Sequence, residues 1–156
     1  LAECHEKDYD GIWAGGGQTA LYNSCDNVLR STLDYAEKQA AKRYVVNGII
    51  YIITDGEDYI AGGGGMSQDD VKSAISRCIS SESLESLMTI LIGVNEDPRI
   101  RKKLEDFQQN VGITQFIAIE KADEKSLAKL VGFMSQSIQS QSQALGSGGP
   151  SKSLTF

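Results

Sequence analysis

GIIYIITDGED, residues 48–58, is the stretch from which the fold of this 156-residue chain is read. Ile49, Ile50, Tyr51, Ile52 and Ile53 form an unbroken apolar run, rich in β-branched residues and without polar alternation. A strand of that kind is covered on both faces, as strands of parallel sheets are. The Asp-Gly pair that follows is a turn, so Asp55 is delivered to the carboxyl end of the strand, the ligand-facing edge of open α/β sheets.

Working outward, residues 20–43 carry Leu21, Val28, Leu29, Leu33, Tyr35, Ala36 and Ala40 at mostly helical spacing with charges between them, which predicts an amphipathic helix. Beyond the strand, Gly62 to Gly65 are four consecutive glycines with no side chains to pack, a composition that favours mobility. Ser67 followed by Asp70 reads as a capping box for a helix whose apolar stripe is Val71, Ala74, Ile75, Cys78 and Ile79. LMTILIGV, residues 87–94, is a second apolar strand. Asn95 to Asp97 form a turn, and Pro98 suits the first position of a helix that buries Ile100, Leu104, Phe107 and Val111 and ends at Gly112.

TQFIAI, residues 114–119, is a third strand, and residues 122–137 a last helix with Leu127, Leu130, Val131 and Met134 inward. The Ser, Gln and Gly composition beyond it predicts a flexible tail over 139–156, ending in a frayed terminus at Leu154 to Phe156. Residues 1–18 read as a loop leading into the domain. Alternation of helices and strands predicts a doubly wound, Rossmann-like α/β fold, a parallel sheet with helices on both faces.

Composition narrows the function classes. Fifteen basic against 21 acidic residues give a formal charge of −6, against the clustered cations that nucleic-acid binding requires. The one basic group, Arg99, Arg101, Lys102 and Lys103, falls at a helix start and reads as a solvated face. No apolar run reaches the length of a membrane span. Cys4, Cys25 and Cys78 are widely spaced, with no CxxC pair and only His5 to complete a metal set, so free thiols and a cytoplasmic setting are expected. Nucleotide-dependent chemistry finds no support: GxxxxGK[ST], GxGxxG opening a helix after a strand, and GxSxG are all absent.

Two segments combine into a motif pair. GGGQTALY, residues 15–22, places glycines before Thr19 at a helix start, where Thr19 serves as an N-cap or offers its hydroxyl to a ligand. With the helix that follows and then IIYIITDGED, it resembles the von Willebrand factor A (vWA) domain family, over roughly residues 11–138. That resemblance implies a non-catalytic protein-binding module with a metal-ion-dependent adhesion site (MIDAS). It implies Mg²⁺, or Mn²⁺ or Ca²⁺ in its place, held by Thr19 and Asp55 and completed by an acidic side chain of another protein. Gly16, Gly17, Gln18, Glu57 and Asp58 would belong to the partner-binding loops.

The family's DxSxS motif, which supplies further ligands after its first strand, does not occur in this chain. The resemblance therefore covers the C-terminal portion of such a domain, and the first strands are missing from the chain. The strand at 49–53 is as apolar as a central strand and lacks a neighbour, which favours a longer parent chain over a site that has lost its metal. A complementary N-terminal half or a hetero-complex is the corresponding partner. A structural or assembly subunit that uses the fold without metal is the alternative function.

Overall fold

The computed structural model describes residues 19–60, 63–146 and 155–156. The loop over 1–18, with Gly16, Gly17 and Gln18, lies outside the described residues, as do Gly62 and most of the tail. Seven elements follow one another: α1 (Leu21–Ala40), β1 (Asn47–Thr54), α2 (Gln68–Ser80), β2 (Ser86–Val94), α3 (Pro98–Val111), β3 (Gln115–Ile119) and α4 (Glu124–Gly146).

The three strands form one parallel sheet in the order β1-β2-β3. Pairing of Ile50 with Thr89 and of Leu91 with Phe116 sets the register. Because side chains alternate along a strand, Ile50, Ile52 and Leu91 enter one core with Leu21, Leu29, Val71, Ile75 and Leu104, so α1, α2 and α3 cover that face. Ile90, Ile92, Ile117 and Ile119 enter a second core with Leu130 and Phe133 of α4 on the opposite face. Helices thus lie on both faces, as expected of a Rossmann-like α/β fold. Strand order is sequential, however, and the reversal that defines a doubly wound sheet does not occur among the described strands.

Local chemistry accounts for the helix ends. Ser67 and Asp70 form the expected capping box, each side chain accepting the other residue's backbone amide. Pro98 opens α3 behind an Asp97 N-cap, and Gly112 closes it in the left-handed conformation at φ 83°. Burying Leu29 at the α1 interface contributes roughly 1.5–3 kcal/mol.

Five departures from the sequence reading have a common cause, the limited width of the sheet that the helices cover. Val28, Tyr35, Ile79, Leu127 and Val131 were expected inward and are exposed, because each lies on the flank of a helix whose central stripe alone meets the strands. A sixth concerns α4, which continues to Gly146 rather than giving way to a tail after residue 138. Its polar residues are buried: the Ser137 hydroxyl meets the Tyr51 hydroxyl and donates to the Met134 carbonyl, and Gln141 Nε2 donates to Met88 Sδ at 3.3 Å. Phe156 is not frayed either. It stacks edge-on against Phe133, with centroids 5.6 Å apart, and Lys129 Nζ lies 4.3 Å from its ring centre.

Candidate functional site

Strand β1 ends in a turn held by its own last residue. The Thr54 hydroxyl donates to the Gly56 carbonyl at 2.8 Å and accepts the Gly56 amide at 3.2 Å, a side-chain-closed turn that aims Asp55 outward. Asn95, at the end of β2, donates through Nδ2 to the Asp55 carbonyl and so ties the two strand ends together. The Asp55 side chain is exposed, and its carboxylate has no partner among the described residues.

Thr19 reaches this turn by an antiparallel bridge. Its amide donates to the Tyr59 carbonyl at 3.1 Å, and the Tyr59 amide donates to the Thr19 carbonyl at 2.8 Å. The Thr19 hydroxyl faces Gly56, 3.9 Å from the position a β-carbon would take there. The hydroxyl and the Asp55 turn, 36 residues apart in sequence, therefore meet at the carboxyl end of β1.

The bridge also removes Thr19 from the N-cap role given as its structural function. The cap position is Ala20, which offers no side-chain acceptor. Asp58 acts in its place: its Oδ1 accepts the Tyr22 amide at 2.9 Å, and a carboxylate suits the positive end of a helix. Asp58, expected among the partner-binding residues, closes α1. Beneath it, burial pushes the Cys25 thiol up from 9.0 to about 12, with the Asp58 charge adding to the effect.

Glu57 is engaged as well, since both its oxygens accept Lys103 Nζ at 2.7 Å. That pair rims a pocket of about 180 Å³ floored by Tyr22 and Phe107, whose rings lie 4.9 Å apart. Gln68 Nε2 donates to the Tyr22 hydroxyl across it at 2.9 Å. The remaining basic residues of the 99–103 cluster pair with Asp97, Glu120 and Asp106, which makes it a solvated ion-pair face as read from the sequence.

The glycine run has a conformational role. Gly63 and Gly64 adopt positive φ, and a β-carbon on Gly65 would come within 2.2 Å of the Ile60 side chain. Asn23 Oδ1, on α1, accepts the Met66 amide and fastens the end of this loop beside the site.

Among the described residues, no three His, Cys, Asp or Glu side chains converge as a metal set. The Thr19 hydroxyl lies beside Gly56, next to Asp55 in the chain, Glu57 pairs with Lys103 and Asp58 with the Tyr22 amide, and Gly16, Gly17 and Gln18 lie outside the described residues. Thr54 and Asn95, which shape the turn, were not singled out from sequence. A Thr two residues before Gly is a readable turn signal, whereas Asn95 is revealed only by the β1–β2 pairing. The chain matches no family model, no curated protein and no solved structure.

Proposed function

We propose that this chain is a non-catalytic protein-binding module of vWA type, which engages an acidic side chain of a partner protein through a divalent cation at the carboxyl edge of the sheet. The observation that supports the reading is the placement of the Thr19 hydroxyl beside Gly56, in the turn that also bears the exposed Asp55. One neutral hydroxyl and one free carboxylate are hard oxygen donors suited to Mg²⁺, which keeps several waters and accepts only one or two carboxylates from a protein. Such an ion would supply an open coordination position and residual positive charge for the partner's carboxylate. Two side-chain oxygens are a partial set, so the partner's oxygen contributes to holding the ion.

The surrounding loops suit recognition. Glu57 and Lys103 at the pocket rim and the Gly63–Gly65 loop border the same edge, where binding residues of α/β sheets gather. Buried, unpaired Cys25 and Cys78 support a reducing, cytoplasmic setting. No helix among the described residues is long and apolar enough to cross a membrane. Calorimetric titration with Mg²⁺ tests the reading: heat of binding that disappears in Thr19→Ala and Asp55→Ala supports it, and identical traces for all three proteins contradict it.

A second reading, an assembly subunit that works without metal, is favoured by one separate observation. The outer edge of β1 pairs with no strand among the described residues, although β1 is as apolar as an interior strand. Complex formation that persists in EDTA distinguishes this reading from the first.

A further inference from the structure

Among the described residues the open side of the sheet is sparsely charged through all three layers of the fold, with Glu124 at the start of α4 the exception on that helix's stripe. From Tyr44 to Thr54 the chain carries no charged residue, although 23% of the whole sequence is charged. Edge strands of soluble proteins are normally protected by Lys, Pro or an inward charge, and β1 has none of these over eight residues.

The layers above and below continue the pattern. On α1, Ser24, Val28, Thr32, Tyr35 and Gln39 recur at intervals of three and four and form one flank. Thr32 lies beside Gly48, and Tyr35 and Gln39 border a hollow with Tyr44 and Val45, so this flank adjoins β1. The charged residues Asp26 and Arg30 occupy the opposite flank, toward Arg77 of α2. On α4, Leu127, Val131, Met134 and Ile138 form a similar stripe, and the Met134 carbonyl accepts the Tyr51 hydroxyl of β1. Lys129 and Phe133 turn the other way, toward Phe156 at the β3 side.

Ile53 of β1 is 56% exposed, Val131 63% and Tyr35 59%, one from each layer. A sparsely charged section that crosses helix, sheet and helix has the character of an obligate interface, a core cut in half. Its size fits: an eight-residue strand spans ~26 Å and three layers ~30 Å, on the order of 800 Å² per copy, the area a stable complex buries on each partner.

We infer that this face is a homodimer interface, in which β1 pairs antiparallel with β1 of a second copy across a two-fold axis. A two-fold makes the contact isologous, so one patch must complement itself. Centring the axis on Tyr51 sets Ile49 against Ile53 of the other copy and Ile50 against Ile52. Each side chain then meets one on its own face of the sheet, and cross-strand pairs of β-branched residues stabilise antiparallel ladders. Charge along the strand does not oppose the contact, because Tyr44 to Thr54 carry none. The two α1 flanks approach on one face and the two α4 stripes on the other. Antiparallel pairing puts the two Asp55 turns at opposite ends, so the dimer presents two separate binding edges. The interface does not depend on the metal reading, and it takes the place of the missing strands or complementary half expected at the β1 edge from the family resemblance.

Sedimentation equilibrium of the full 156-residue chain tests the inference. The expected result is a species of twice the 16.9 kDa chain mass, with and without EDTA. Ile53→Lys and Val131→Glu, both at exposed positions in different layers, are each expected to weaken association at least tenfold with an unchanged far-UV circular dichroism spectrum. A wild-type chain that stays monomeric at high micromolar concentration overturns the proposal, including one that pairs only with a different protein. A dimer whose stability neither substitution alters overturns it too, since the contact would then lie elsewhere.

Discussion

The Asp58 carboxylate accepts the Tyr22 backbone amide at 2.9 Å, so the loop after β1 closes the start of a helix that precedes it by 36 residues. That single bond couples α1 to the carboxyl edge of the sheet: when the loop moves, the helix loses its cap. Asp58→Ala is expected to destabilise the fold by about 1 kcal/mol, within the range for loss of a helix cap, and Asp58→Asn by less because an acceptor oxygen remains. Urea denaturation of the three proteins checks the order.

Stability should fall at both ends of the pH range, for separate reasons. At the acid end, side-chain and backbone hydrogen bonds from Arg99 hold Asp97 down at about 2, and Ser67 holds Asp70 below its usual value. Both groups have folded pKa values below their unfolded ones. Their contribution is present above about pH 4 and is lost as pH falls toward 2. At the alkaline end, Cys25 ionises at about 12 in the fold, mainly through burial, against 9.0 when exposed. Its contribution is complete below pH 9 and is lost as pH rises from 9 toward 12. Cys25→Ala is expected to flatten that alkaline slope in thermal melts while leaving the acid limb unchanged.

Burial of polar residues on α4 gives a third expectation. Tyr51→Phe removes a hydroxyl that meets both Ser137 and the Met134 carbonyl, and should cost roughly 0.5–1.5 kcal/mol, the net worth of a hydrogen bond, because Ser137 keeps its own bond to the Met134 carbonyl. Hydrogen exchange should then accelerate in α4 around Ser137 more than in α1 or α2. Uniform acceleration throughout the chain would contradict a local role.

Packing between β2 and α3 supplies a fourth. A β-carbon on Gly93 would lie 2.8 Å from Leu104 Cδ1 and 3.2 Å from the Phe116 ring. Gly93→Ala is therefore expected to lower stability by about 1–3 kcal/mol through overpacking, measured by thermal or urea denaturation.

How much of this was legible in sequence varies with the range of the interaction involved. The Ile49 to Ile53 run announced a parallel strand through its lack of polar alternation, although only Ile50 and Ile52 of it are buried and Ile53 is exposed, and Ser67, Asp70, Pro98 and Gly112 announced helix ends because capping is local. The approach of Thr19 to the turn that bears Asp55 was readable only through a family resemblance. The bonds that bring them together, Thr19 to Tyr59 and Thr54 to Gly56, were not anticipated, and the first joins residues distant in sequence. Ser137 and Gln141 were hidden for the opposite reason: a polar residue that is buried and bonded has the same letter as one in a linker. Helical periodicity marked Val28, Tyr35, Leu127 and Val131 as apolar but carried no information on how far the sheet extends beneath them.

The central claim, a divalent cation held at the Thr19 and Asp55 turn, is tested most directly by following backbone amide resonances of the ¹⁵N-labelled chain during titration with Mg²⁺. Saturable shifts concentrated at Thr19, Asp55 and Gly56, and absent in Asp55→Ala, are the expected result. Shifts that are missing, or that spread over the acidic surface and persist unchanged in Asp55→Ala, would contradict it.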